Sequence, residues 1–334
     1  MPRRCGCNVD LDLPGGVDAR VVLLDLNGFN EQLSGPIIDL IALINSRRPS
    51  TIFSIESESG VKLTNDFTTL FQRVHNFSPT ITQLPSGPSL TTNIPTSPLS
   101  TSFLTSLPSV TSTNSTDPNT RRLHHQVAVG GTFDHLHIGH KLLLTATILL
   151  ADPSQPRKIT IGITGDALLV NKKHASALES WSVRQQRCAD FVETILCFHP
   201  NPSVIRSVEE RNDEDVPNGK VVAVTYTPSK GSGQTAEGDE SSITINYTQI
   251  QDPFGPTITD ENITALVVTA ETRAGGKAVN DKREEKGWAE LEVFEVGVLE
   301  SGSGDGEVKE GFEGKIGSTE IRRRIVELQQ QTEK

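Results

Sequence analysis

Hydrophobic positions along this chain fall into two families of pattern, separated by a stretch that has neither. Arg20-Val-Val-Leu-Leu-Asp25 reads as a short buried strand, and Thr51-Ile-Phe-Ser-Ile55 alternates like a second one. Ile37, Ile38, Ile41 and Ile44 recur at helical spacing, and Leu63, Phe67, Leu70, Phe71 and Val74 make a further helical stripe. Residues 1–77 are therefore expected to form a small α/β region with these positions in its core. Over residues 78–120, 28 of 43 positions are Ser, Thr or Pro, and the scattered hydrophobes are too few to offset the entropy of ordering. That stretch is expected to be a disordered linker.

From Arg121 onward strand-like runs alternate with helical stripes, the mark of a parallel sheet with crossover helices. Residues 127–129, 158–164, 243–250, 265–269 and 291–298 read as strands, with shorter ones at 204–208 and 221–225. A helix is expected near Ser182, capped by it, with Val183, Phe191, Val192, Ile195 and Leu196 on the core face. Another starts at Ser318 or Thr319 and carries Ile321, Ile325 and Leu328. The acidic run 209–215 reads as a solvated loop and 230–242 as a flexible segment, together an insertion near 209–242 in a domain spanning 121–334. Asp252-Pro-Phe-Gly-Pro256 reads as a turn.

Charge and composition narrow the function. The formal charge of −11 argues against a general nucleic-acid surface, which needs basic patches. No run of eighteen apolar residues appears, and Met1-Pro-Arg-Arg-Cys5 is not followed by an apolar core, so neither a membrane span nor a signal peptide is expected. Cys188 and Cys197 read as free thiols, and Cys5-Gly-Cys7 has no partner pair. A cytoplasmic address follows as the expectation.

The chemistry concentrates in Val127-Ala-Val-Gly-Gly-Thr-Phe-Asp-His-Leu-His-Ile-Gly-His140. It reads as a strand, a tight glycine turn at Gly130-Gly131, and a helix whose first turn carries His137 and His140 on one face. Amides at a helix start bind anions, and glycines let a phosphate come close. Two imidazole donors aimed at one anionic centre suit phosphoryl or nucleotidyl transfer, which needs positioning and charge stabilisation. A zinc site is the rival, but no Cys pair or acidic ligand follows, so no metal held by protein ligands is expected. Glu271-Thr-Arg-Ala-Gly-Gly276 follows a buried strand, where Arg273 and a glycine pair suggest anion binding. Arg322, Arg323 and Arg324 stand near a helix start, an unfavourable place for cations that a bound anion would offset.

Taken together, residues 126–327 resemble the phosphopantetheine adenylyltransferases of the eukaryotic type, in the nucleotidyltransferase superfamily with the His-x-Gly-His motif. The resemblance rests on residues 130–140, Asn171-Lys-Lys173, residues 271–276 and Ile316-Gly-Ser-Thr-Glu-Ile-Arg322. It implies a Rossmann-like doubly wound sheet and transfer of AMP from ATP to 4′-phosphopantetheine, yielding dephospho-coenzyme A and pyrophosphate. His140 and His137 would then serve the α-phosphate, Thr132 would hold the attacking phosphate, and Lys172, with Lys173 as neighbour, would orient it. Gly130, Gly131, Phe133, Asp134, Gly139, Arg273, Ser318 and Thr319 would form the nucleotide site, with Mg²⁺ entering with ATP. A coenzyme A synthesis complex would attach through the N-terminal region or linker. The related alternatives are a CTP-dependent cytidylyltransferase for phosphocholine, phosphoethanolamine or glycerol 3-phosphate, and a non-catalytic nucleotide-binding scaffold.

Overall fold

The computed structural model describes residues 20–25, 36–46, 48–85, 122–197, 204–214, 216–228, 242–297 and 317–332. Residues 230–241 and most of the expected linker, from 86 on, lie outside the described residues. The chain divides into two compact units, one Leu40–Arg122 and the other Met1–Asp39 with Leu123–Lys334.

Strands β1 (Leu23–Asp25) and β2 (Ile37–Asp39) pair in parallel. Ile37 and Ile38 thus lie in a strand and not on the expected helix, as suits adjacent β-branched residues. In the smaller unit, α1 (Leu40–Ser46), β3 (Thr51–Ile55), α2 (Glu58–His75) and β4 (Thr80–Leu84) follow in order. Ser57 caps α2 by accepting the Gly60 amide at 3.0 Å, and Asn76 closes it in the left-handed conformation. Phe67 and Phe71 stack with ring centroids 5.4 Å apart in a cluster with Ile44. That core is narrower than the hydrophobic pattern implied, since Ile41 and Val74 are exposed. The first residues of the expected linker are ordered. Thr80-Ile-Thr, β-branched throughout, starts a strand parallel to β3.

The larger unit holds a seven-stranded sheet. Its elements are β5 (Gln126–Gly131), α3 (Ile138–Leu150), β6 (Arg157–Thr164), α4 (Trp181–Leu196), β7 (Val204–Asn212), β8 (Lys220–Pro228), β9 (Ile243–Ile250), β10 (Ala265–Thr269), α5 (Arg273–Glu285), β11 (Glu292–Val296) and α6 (Ser318–Thr332). The strand order is β11-β10-β5-β6-β9-β8-β7, parallel from β11 to β9, with β8 antiparallel to both its neighbours. Alternate residues of the central strands serve opposite faces. Val127, Val129, Ala265 and Val267 pack in one cluster with Leu144 and Ile148 of α3 and Val192 of α4. Ala128, Leu266 and Val268 cluster with Val279 of α5. Burial on both faces explains why these strands read as continuous apolar runs.

Three expectations change here. The acidic run is not a loop throughout, because β7 continues to Asn212 with Glu209, Glu210 and Arg211 exposed at the sheet edge. Charges are tolerated on such an edge strand, and they discourage further pairing. Helix α4 is capped at Ser180, not Ser182, and the inward stripe runs Trp181, Gln185, Cys188, Val192, Ile195, which leaves Val183 exposed. On α6, Ile321 is buried but Leu328 is exposed. Among the described residues no helix is long and apolar enough to cross a membrane.

From β5 the chain moves outward to β6 and β9, then returns to lay β10 on the other side of β5. Such a reversal opens a crevice at the carboxyl ends of the two strands that flank it, here β5 and β10.

Candidate active site

Strand β5 carries Gly130 and Gly131 as its last two residues, so the expected glycine turn is absent at that point. The reversal falls to Phe133 and His135, with φ of 53° and 46°. Left-handed backbone costs a non-glycine residue about 1 kcal/mol or more, so something must hold it. The Phe133 ring is fully buried, and a Cβ on Gly131 would stand 3.1 Å from it. Gly131 therefore serves as the space into which Phe133 folds back. The His135 amide donates to Glu179 at 2.8 Å, and its Nε2 lies 2.7 Å from the Ala177 carbonyl.

Helix α3 begins one residue later than the histidine pair suggested. His137 is its N-cap and makes no side-chain capping bond, leaving its imidazole for other use. The rings of His137 and His140 stack with centroids 3.8 Å apart and planes 24° apart, and Phe133 lies against His140 at 5.3 Å. Both Nδ1 atoms are buried without a hydrogen-bond partner. Burial lowers the His137 pKa to about 4 and holds that of His140 well below 6.5, with the neighbouring His137 adding to the effect. Both rings are neutral near pH 7. Gly139 packs against the His137 ring for want of a side chain, since a Cβ would stand 3.1 Å from it.

These groups line a cavity of about 500 Å³ at the carboxyl ends of β5 and β10. Of the residues expected in the site, Gly130, Gly131, Thr132, Phe133, His137, Gly139, His140, Lys172, Ser318 and Thr319 border it. Glu271, Thr269, Thr272 and Arg322 border it as well and were not singled out as ligands by sequence. A second cavity of about 390 Å³ shares Gly130, Gly131, Thr132 and Thr272 with the first, and runs between the sheet, the Asp252–Pro256 turn and the start of α5. In that turn Asp252 accepts the amides of Phe254 and Gly255, both at 2.8 Å, and Gly255 takes φ of 54°.

Asp134, Lys173 and Arg273 do not border the first cavity. Asp134 is fully buried, accepts the Glu179 amide at 2.9 Å and pairs with Arg322 at 2.5 Å, so its carboxylate is spent inside the protein. Lys173 contributes its carbonyl to Arg322 Nε at 3.0 Å. Arg273 is exposed and bonds the Glu295 carboxylate twice, at 2.5 and 2.6 Å, a fork-to-fork match that draws it to the side of the site. Ser318 does not cap α6 with its hydroxyl, which donates to the Asp134 carbonyl at 2.8 Å.

Beneath the site lies Arg184, fully buried on α4. It donates to the carbonyls of Glu179, Thr132 and Thr164 and pairs with Asp166 at 2.7 Å. The phase of α4 signals it, because Arg184 follows Trp181 by three residues on the inward stripe. Arg322 carries a similar signal. Positions 321, 322, 325 and 326 share the inner arc of α6, while Arg323 and Arg324 point outward to Glu320 and Glu327.

Residues 4–90 match a family model described as a domain of unknown function (DUF8446). The chain is 31% identical over 201 residues to an uncharacterized protein of Schizosaccharomyces pombe, covering 60% of this chain and 48% of that protein. It is 28% identical over 206 residues to the phosphopantetheine adenylyltransferase of Saccharomyces cerevisiae, covering 62% and 50%. With the protein of that name from Pyrobaculum aerophilum the figures are 27% over 197 residues, covering 59% and 89%. The chain spans about half the length of the two fungal relatives. A crystal structure of a protein with unknown function from Archaeoglobus fulgidus matches at a TM-score of 0.32 and 23% identity, over 51% of this chain and 88% of that one, too slight a likeness to bear on the fold.

Proposed function

We propose that this chain transfers AMP from ATP to 4′-phosphopantetheine in the cytoplasm, on a Rossmann-like nucleotidyltransferase sheet. The observation that carries the reading is the stacked pair of neutral imidazoles at a helix start, in a cavity whose other walls present Lys172 and the Ser318–Thr319 helix start. The similarity to proteins named phosphopantetheine adenylyltransferase supports it.

In this mechanism an oxygen of the pantetheine phosphate attacks the α-phosphorus of ATP. A new P–O–P bond forms as the bond to the β-phosphate breaks, and pyrophosphate leaves with its electron pair. The nucleophile is already an anion, so no general base is required. His140, assisted by His137, donates to the α-phosphate oxygens as charge builds there; neutral rings can donate without repelling a passing Mg²⁺. Thr132 and Lys172 hold the attacking phosphate in line, with Lys173 next to it in the same loop. The amides of Ser318 and Thr319 and the Thr319 hydroxyl take the β- and γ-phosphates at the start of α6. Arg273, next in sequence to the cavity-lining Thr272, joins them by exchanging Glu295 for phosphate.

Mg²⁺ would enter with ATP and offset the charge of the triphosphate. The second cavity, mostly apolar in its lining residues and continuous with Thr132, is assigned to the uncharged arm of the acceptor.

Pyrophosphate release measured with ATP plus 4′-phosphopantetheine, beside CTP plus phosphocholine, tests the reading. Release with the first pair alone is expected. Release with the second alone assigns a cytidylyltransferase, and silence with both leaves a non-catalytic nucleotide fold.

A further inference from the structure

We propose that the buried Asp134–Arg322 pair is a positioning device, which sets the Lys172 loop and the Ser318–Thr319 helix start against the two histidines. Its consequence for rate rests on the adenylyl-transfer reading, whereas its consequence for structure rests on geometry alone.

The two residues come from distant parts of the chain and join three of the segments that line the site. Asp134 belongs to the turn that delivers His137 and His140, and Arg322 to α6. They meet at 2.5 Å with 0% and 2% of their surface exposed. From that contact Arg322 extends Nε to the Lys173 carbonyl at 3.0 Å and Nη2 to Thr319 Oγ1 at 3.1 Å. Asp134 extends its second carboxylate oxygen to the Glu179 amide at 2.9 Å and its carbonyl to Ser318 Oγ at 2.8 Å. One planar fork thus spans the histidine turn, the lysine loop and the helix start at once.

Two physical arguments make this more than a brace. A buried ion pair adds little net stability compared with apolar residues of similar volume, because desolvation offsets most of its attraction. What it supplies without substitute is direction, since a guanidinium has donors fixed in a plane and an ammonium does not. Lysine at position 322 keeps a charge for Asp134 but cannot also bond the Lys173 carbonyl and the Thr319 hydroxyl in their present places.

The test uses Arg322→Lys in the full chain, with trypsin mapping and steady-state kinetics. Cleavage after Lys172 and Lys173 is expected to rise about tenfold relative to other sites, with the melting temperature nearly unchanged. On the kinetic side kcat is expected to fall by roughly 10- to 100-fold, the scale of an ångström of misplacement, while both KM values change far less. Asp134→Asn keeps the shape but leaves the Arg322 cation buried without a carboxylate, so it is expected to lower the melting temperature as well. It serves if Arg322→Lys does not fold, and is read by cleavage after Lys172 and Lys173 relative to other sites. An even rise in cleavage along the chain with a matching fall in melting temperature overturns the proposal, as does failure of both variants to fold, because either makes the pair a general support. Unchanged loop cleavage with normal kcat overturns it too. If the wild-type protein transfers no AMP, the functional reading falls, and the trypsin map still decides the role of the pair.

Discussion

His140 packs its ring against His137 at 3.8 Å, and the pair excludes water from both Nδ1 atoms. Burial keeps both rings uncharged, and His137 adds to the effect on His140. The site is thereby tuned to donate hydrogen bonds and not to carry charge.

This tuning has a pH signature. The unfolded chain takes up the His137 proton near pH 6.5, whereas the folded chain resists it until about pH 4. The unfolded state binds more protons inside that window, so stability is fully present above about 6.5 and declines on acidification. His137 alone accounts for about 3 kcal/mol of that decline. His137→Asn is expected to flatten the fall in melting temperature between pH 6.5 and 4. The transfer rate of the wild-type protein should show no break near pH 6.5 beyond that of the acceptor phosphate, whose second ionisation falls at about pH 6 in the free substrate as well. A further break there would mean that a charged imidazole does the work.

His140→Ala is expected to lower kcat about 100-fold or more in a folded protein, the scale of losing one oriented donor. Gly139→Ala should do part of the same by a different route. Its added methyl meets the His137 ring at 3.1 Å, so the ring must move by a few tenths of an ångström. A drop in kcat without loss of melting temperature is the expected outcome, read by kinetics and a thermal scan.

Glu295→Gln probes Arg273. An exposed ion pair is worth at most about 1 kcal/mol, so releasing Arg273 is expected to tighten ATP by no more than about fivefold. Arg273→Ala should weaken it. Calorimetric titration with ATP distinguishes the two, and identical affinities in both variants would remove Arg273 from the nucleotide site.

Gly162 and Gly130 face each other across β5 and β6, yet alanine should act differently at the two. At Gly130 a new Cβ finds Ile250 at an ordinary 3.8 Å, whereas at Gly162 it meets the same side chain at 2.4 Å. Both glycines border the second cavity with Ile250. Gly162→Ala is therefore expected to displace Ile250 and raise KM for 4′-phosphopantetheine several-fold relative to Gly130→Ala, leaving KM for ATP alone.

Arg283 offers a stability test away from the chemistry. It is 1% exposed and donates to the carbonyls of Thr257, Glu261, Ile263 and Ala289. Arg283→Met leaves those acceptors dry at about 1 kcal/mol or more each, a loss of roughly 3 kcal/mol or more. A melting temperature lower by about 6 °C or more is expected from a thermal scan.

The residues show why some of this was legible beforehand and some was not. The strands of the large sheet announced themselves because burial on both faces forces long apolar runs, as in Ala265–Thr269. The histidine motif was legible because its residues are contiguous. Arg184 and Arg322 were not read as buried, since a cation on a helix looks solvated until its carboxylate and carbonyl partners, far away in sequence, are known. Val183 misled because a hydrophobe next to the stripe looks like part of it. Ile37 and Ile38 matched a helical period over too few residues to exclude a strand, and the strand Thr80–Leu84 was hidden by the proline-rich composition around it. Arg273 was found by its motif, but its present partner, Glu295, lies across the sheet on β11.

The bond from Ser318 to the Asp134 carbonyl joins residues 184 positions apart. During synthesis the histidine turn leaves the ribosome long before the helix that secures it. A growing chain therefore carries both imidazoles and the lysine before the helix that walls their cavity, and that wall is added when α6 docks. The order of emergence makes the polypeptide its own timer, its cavity left open until the helix that walls it has been made.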